Sequence, residues 1–164
     1  MKKRVLTFHT FSKSYALCGF RLGYAAGPQH IIEAMQKSSH YMTLCAPHIS
    51  QLLGLKALSM HPKYIEKMRV EYDRRRRFLV QRLNDMGLHT QMPEGAFYAF
   101  ANITSTKMKS LSFANALLKK AKVAVVPGTE FGSAGEGYIR LSYATELHKI
   151  ESAMDRFEKF LKKH

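Results

Sequence analysis

The order of apolar and polar residues divides the chain near residue 60. Residues 4–8 read as a short apolar strand, 9–14 as a polar loop and 22–26 as a second strand. Gly27 and Pro28 stop that strand and suit the start of a helix. Ile31, Ile32, Met35 and Ser39 then make one helical stripe, and Ile49, Leu52, Leu53, Leu55 and Leu58 make a second after Pro47. Strand, loop, strand, helix is an α/β rhythm.

A long helix is predicted over 62–86, with Pro62 in a favourable first position and Gly87 as a C-terminal stop. Ile65, Met68, Tyr72, Leu79, Leu83 and Met86 recur at steps of three, four or seven and share one face. Arg75 and Arg76 fall on that face and are expected to snorkel or to pair with acids on a neighbouring element, which points to an adjoining surface outside this chain. The pattern continues as strand 90–92, turn 93–95, strand 96–101, helix 111–121, strand 123–126, loop 127–137 and strand 138–143. A last helix begins near Thr145, read as its N-cap, and presents Ile150, Ala153, Met154, Phe157, Phe160 and Leu161 for packing on a sheet. The chain thus reads as a smaller α/β piece over 1–60 and an α+β unit over 61–164.

With 164 residues and 46% hydrophobic content the chain can bury one ordinary core, so a single compact unit or a piece of something larger is expected. Cys18 and Cys45 are too few for a disulfide framework. Residues 1–8 show no secretory signal, and the cytoplasm is the expected location. No apolar run approaches the ~18 residues that span a membrane. A formal charge of +14 would favour a polyanionic partner, but the basic residues are spread along the chain without a nucleic-acid motif, so nucleic acid is not expected. His40, Cys45 and His48 lack a fourth ligand at a recognisable spacing, so no metal site is expected. Gly132, Gly135 and Gly137 precede a strand and open no helix, which is the wrong context for a dinucleotide fingerprint.

The chemistry concentrates at Lys13. It lies on a loop after a strand, beside the hydroxyls of Thr10, Ser12 and Ser14, with Arg21 eight positions on between Gly19 and Gly23. A free lysine amine has a pKa of about 10.4 and is mostly protonated, so attack on an aldehyde needs surroundings that disfavour the ammonium. Arg21 supplies a fixed positive charge for this and a planar fork able to hold two phosphate oxygens. Thr10 and Ser12 can donate to the same phosphate, and the glycines allow close backbone approach.

This stretch resembles the cofactor-lysine signature of class I aminotransferases, S-x-S-K-x-x-x-x-x-G-x-R-x-G, at Ser12, Lys13, Gly19, Arg21 and Gly23. Thr10 stands where the family usually has serine and keeps the hydroxyl. Three further runs are similar to family motifs in family order: 93–100 to the P-x-G-A-F-Y strand, 125–132 to the V-P-G-x-x-F-G loop, and 138–144 to the strand bearing the substrate-carboxylate arginine. The resemblance implies an aspartate aminotransferase-like, fold type I enzyme. Residues 1–60 would be a remnant of its three-layer α/β large domain, and 61–164 its α+β C-terminal small domain. It implies pyridoxal 5'-phosphate as cofactor, Lys13 as the catalytic and cofactor-bearing residue, Thr10, Ser12 and Arg21 as phosphate ligands, and Arg140 as the clamp on a substrate α-carboxylate. It also implies amino-group exchange between an amino acid, aspartate, aromatic or similar, and a 2-oxo acid, in a homodimer.

The family further has an acid on the pyridine nitrogen, a ring stacked on the cofactor and an asparagine turn, all upstream of the lysine. Only twelve residues precede Lys13, so the chain is expected to be about the last two-fifths of a two-domain enzyme and to transaminate negligibly alone. Robust turnover by the chain alone would sink that expectation. Two other readings stay open: a same-fold carbon–sulfur lyase or aminocyclopropane-carboxylate synthase-like enzyme, separable by product analysis, and a non-catalytic basic binding fragment, separable by steep salt-dependent binding to nucleic acid.

Overall fold

A computed structural model describes residues 4–163. Its contacts separate into two compact units, Met1–Lys67 and Met68–His164. No helix among the described residues is long and apolar enough to cross a membrane.

In the first unit, β1 (Thr7–Thr10) and β2 (Gly23–Ala26) form an antiparallel pair in which Thr7 faces Ala26 and Thr10 faces Gly23. The strand expected over 4–8 is therefore shifted towards the polar loop. Backbone pairing with β2 outweighs the apolar character of Val5 and Leu6, and Thr10 closes the strand instead of lying beyond it. Two helices follow, α1 (Gln29–Thr43) and α2 (His48–Leu58), each entered from a proline whose φ is already near the helical value: −58° at Pro28 and −53° at Pro47.

The apolar stripe of α2 is not its packed face. Ile49, Leu52, Leu55 and Leu58 are exposed, whereas Ser50, Gly54 and Ala57 are buried. Those three positions recur at steps of four and three, so they line one side of the helix. Small residues are required there because the hairpin lies close: a Cβ on Gly54 would stand 2.5 Å from Leu22 Cδ2. Ser50 uses the proximity, its hydroxyl donating to the Phe20 carbonyl at 2.7 Å. Phe11 is the buried aromatic of this unit, with Tyr15 and Tyr24 at ring separations of 5.4 and 5.9 Å.

The second unit has a larger core. The division between units falls inside the long helix α3 (Lys63–Asp85). Then come β3 (Tyr98–Asn102), α4 (Ser110–Ala121), β4 (Val126–Pro127), β5 (Tyr138–Ser142) and α5 (Leu147–Leu161). The sheet is antiparallel in the order β3-β5-β4, with β5 central. One face of it buries Ala99, Ala101, Ile139 and Leu141 with Leu79 and Leu83 of α3, Phe113 and Leu117 of α4, and Phe157 and Phe160 of α5. The α/β and α+β expectations hold for these elements.

Four local expectations differ. The strand at 90–92 is a single bridge from Thr90 to Ala101, and in place of the strand at 123–126 stands the two-residue β4, which pairs only at Val126 and Pro127 and is ended by the 3-10 turn that starts at Gly128. Thr145 is not the N-cap of α5. Glu146 holds that position without a side-chain cap bond, and its carboxylate instead lies 3.4 Å from Lys149 Nζ. Arg75 and Arg76 need no partner on another element: Arg75 Nε donates to Glu71 at 2.8 Å, one turn back on α3, and Arg76 pairs with Asp73 of the same helix while donating to the Pro93 carbonyl. Arg77 joins Asp73 at 2.9 Å, and this bond is the main cause of a lowered Asp73 pKa, with Arg76 adding to it. The inference of an adjoining surface from these arginines therefore falls away.

Residues 128–137 form two short 3-10 turns, Gly128–Phe131 and Ser133–Gly135, fixed at the start of α4. The Glu136 carboxylate accepts from Ser110 N–H at 2.8 Å and Gly137 N–H at 3.1 Å, and the Ser110 hydroxyl accepts from Gly137 N–H at 2.9 Å. Glu136 thus fills the capping role that Lys109, the N-cap residue itself, cannot. Bonding to Ser110 N–H holds the Glu136 carboxyl below its ordinary pKa.

Two outcomes follow from this packing. Ser50→Ala should speed hydrogen exchange at the amides of residues 20–22 by roughly two- to tenfold, the effect of losing about 0.5–1.5 kcal/mol of hydrogen bonding; unchanged exchange would refute the anchor. The folded Glu136 pKa is depressed, so its contribution to stability is complete above the unfolded value, roughly 4.3, and disappears as pH falls through the lower folded value. Thermal unfolding of the wild type and Glu136→Gln between acidic and neutral pH should therefore show the wild type's advantage shrinking as pH drops below that point.

Candidate active site

The first group of predicted residues stands at the connected end of the β1–β2 hairpin. Thr10 faces Gly23, Phe11 N–H continues the ladder to the Leu22 carbonyl at 3.1 Å, and one step further along each strand lie Ser12 and Arg21. A Cβ on Gly23 would come within 2.7 Å of the His9 carbonyl oxygen, which explains a glycine there. The Phe11 ring is buried in the unit, and Lys13 is exposed on the turn that follows. The turn is closed by Ala16 N–H to the Lys13 carbonyl at 3.2 Å and by Leu17 N–H to the Phe11 carbonyl at 3.2 Å.

The hydroxyls are organised by the same turn. Ser12 N–H donates to Thr10 Oγ1 at 3.1 Å, and the Thr10 and Ser12 hydroxyl oxygens lie 3.0 Å apart. Arg21 sits at φ 52°, in the left-handed region that a non-glycine residue occupies only under constraint. It follows the 3-10 turn Cys18–Phe20 and donates from one terminal nitrogen to the Cys18 carbonyl at 3.0 Å. The remaining guanidinium hydrogens keep their fork geometry. Lys13, Thr10, Ser12 and Arg21 are thus gathered on one hairpin, and no acid occurs in the sequence before Glu33. Two hydroxyls, a guanidinium and a primary amine are the kinds of group that can hold a phosphorylated aldehyde.

Arg140 belongs to the second unit. It is on central strand β5, opposite Phe100 on β3 and Val126 on β4, on the face away from the Ile139 and Leu141 side chains. Its guanidinium carbon lies 4.2 Å from the Tyr98 ring centre and 4.5 Å from that of Phe131. Phe131 meets Phe100 edge-on at 5.8 Å, and Phe100 stacks on Tyr138 at 5.5 Å. Among the described residues no carboxylate pairs with Arg140. A half-buried arginine stacked on rings, with its donors unused by protein acceptors, is arranged to receive an external planar anion.

The sequence reading missed the residues that hold these groups. Phe11, Ser50 and Gly54 anchor the hairpin, and Tyr98, Phe131 and Glu136 shape the surroundings of Arg140. Tyr98 was recoverable from period-2 alternation on two adjacent strands. Glu136 carried no sequence signal, because its cap bonds to residue 110 across 26 positions.

Comparison with known proteins gives the family and the fold of the chain. The family described as aminotransferase class I and II matches residues 1–157. An aspartate aminotransferase of Pyrococcus abyssi is 49% identical over 164 residues, covering 99% of this chain and 42% of that protein. Aromatic-amino-acid aminotransferase 2 of Thermococcus litoralis is 46% identical with the same coverage of each. The crystal structure of an aromatic aminotransferase from Pyrococcus horikoshii OT3 superposes with a TM-score of 0.95 at 48% identity, covering 99% of this chain and 44% of that one. The chain spans about two-fifths of the length of the curated relatives it matches. With a family match across nearly its whole length, a closely superposing fold and the lysine and arginine signatures on its hairpin and central strand, the chain belongs to the class I and II aminotransferases, a family that implies pyridoxal phosphate.

Proposed function

We propose that this chain works as part of a pyridoxal-phosphate-dependent aminotransferase that exchanges an amino group between an amino acid, aspartate, aromatic or similar, and a 2-oxo acid. The observation that carries the reading is the β1–β2 hairpin, which gathers Lys13, Thr10, Ser12 and the strained Arg21 at one end. Arg21 and the two hydroxyls would hold the phosphate of the cofactor, and Lys13 its aldehyde. The bound cofactor supplies an electron sink for the pair released at the substrate Cα.

Lys13 Nζ, once displaced by substrate, would take up the Cα proton as a general base. It sits on a turn fixed at both ends, by the buried Phe11 ring on one side and the Leu17 to Phe11 bond on the other, so its stem can swing while its backbone stays in place. Within the second unit, Arg140 would bind the α-carboxylate in a bidentate pair, the geometry its planar fork favours over a lysine. The homodimer and the cytoplasmic location belong to this reading on the strength of the family resemblance alone.

Titration with pyridoxal phosphate tests it. The wild type should give a saturable visible band, and borohydride reduction should fix one equivalent of cofactor on the peptide that contains Lys13. Lys13→Ala should lose both signals. Arg21→Ala should weaken affinity roughly ten- to a hundredfold, the effect of removing about 1.5–3 kcal/mol of charge-assisted hydrogen bonding. Labelling spread evenly over many lysines, or a band of equal strength in Lys13→Ala, would overturn the assignment.

A further inference from the structure

Arg140 is held in a way its sequence motif does not describe. An arginine kept in place by an acid has part of its donor edge occupied, and an incoming carboxylate must compete for it. Here the restraint comes from aromatic rings. Tyr98 is the diagonal neighbour of Arg140 across the β3–β5 register, where Phe100 faces Arg140 and Tyr98 faces Ser142. Phe131 reaches the same guanidinium from the 3-10 turn Gly128–Phe131. Both ring centres lie within 4.5 Å of it. The attraction runs from the cation to the ring face and leaves the in-plane N–H groups directed outward.

We propose that Tyr98 and Phe131 are positioning residues for Arg140, setting the plane of its guanidinium before a carboxylate arrives while leaving its donor edge open. The inference rests on the carboxylate-binding reading of Arg140. An arginine side chain has rotamer entropy, part of which is otherwise lost on binding; rings that restrict it in the free protein reduce that cost. The rings are themselves supported. Phe131 is braced edge-on by Phe100, and Phe100 by Tyr138. The turn carrying Phe131 is backed by the approach of Gly128 to Gly135, where a Cβ on Gly128 would stand 2.0 Å from the Gly135 carbonyl oxygen, and by the clamp from Glu136 to Ser110.

The test is a nuclear magnetic resonance titration of the chain with succinate as the carboxylate probe, following the Arg140 Nε–Hε correlation, assigned with Arg140→Lys. In the wild type this resonance should be displaced by the ring currents and should move saturably with succinate. Tyr98→Leu and Phe131→Leu should each lessen the ring-current displacement and weaken succinate binding by about two- to fivefold, the range of a partly exposed cation–π contact. Tyr98→Phe should preserve both. Phe131 is half exposed, so its variant keeps the test available if Tyr98→Leu unfolds the sheet. Loss of the ring displacement with unchanged succinate affinity would overturn the positioning role alone. Absence of succinate binding in the wild type, or equal binding by Arg140→Lys, would defeat the carboxylate reading of Arg140 and this proposal with it.

Discussion

The two-residue period of a β-strand is the constraint that fixes which face of the second unit's sheet Arg140 occupies. On β5, Ile139 and Leu141 are buried in the core of the second unit, and the same pleat turns Arg140 to the opposite face. A slip of one residue would put the guanidinium among Phe113, Leu117 and Phe157 and expose the leucine and isoleucine, so the core fixes the arginine's side of the sheet. The hairpin of the first unit is fixed differently: β1 ends at Thr10, and the turn after it is anchored by the buried Phe11 ring. Leu17 N–H to the Phe11 carbonyl and Ala16 N–H to the Lys13 carbonyl close that turn and leave Lys13 exposed on it. In each case a polar residue outside the core is held in place by an apolar neighbour that belongs to it.

The parts legible in the sequence were those where local pattern and packed face coincide. α5 shows this well: Ile150, Met154, Phe157 and Phe160 were read as core and are buried. α2 shows the opposite. Its leucines and isoleucine form the obvious stripe, yet the packed side is Ser50, Gly54 and Ala57, because the hairpin lies too close for a larger residue at Gly54. Hydrophobicity alone cannot identify a face chosen for size. Strand ends failed for a related reason. The start of β1 is set by its pairing with β2 and not by the apolar run before it, and β4 takes in Pro127, which reads as loop in the sequence, because it pairs there with Ile139 of β5.

The basic run on α3 is a case where the sequence overstated what lies beyond the chain. The sequence pattern asks Arg75 and Arg76 to snorkel or to pair with acids on a neighbouring element, but Glu71 and Asp73 lie one turn back and engage Arg74 to Arg77 within the helix. Such exposed and half-exposed pairs each contribute little to stability. Their effect is to compensate a dense charge locally and, through Arg76 and the Pro93 carbonyl, to tie the loop before β3 to α3. Arg82 does similar work at longer range, reaching Asp155 at 2.9 Å and Glu158 at 3.2 Å on α5.

The hairpin and the sheet hold their arginines by different means. Lys13 and Arg21 lie in a stretch with no acid before Glu33, beside the hydroxyls of Thr10 and Ser12. The left-handed backbone at Arg21 is held by the 3-10 turn before it and by the bond from its guanidinium to the Cys18 carbonyl. Arg140 is held by ring faces, which stabilise a cation without neutralising it. A backbone carbonyl takes one of the donors of Arg21, whereas the rings take none from Arg140, so the sheet arginine is fixed in place with its in-plane N–H groups still directed outward.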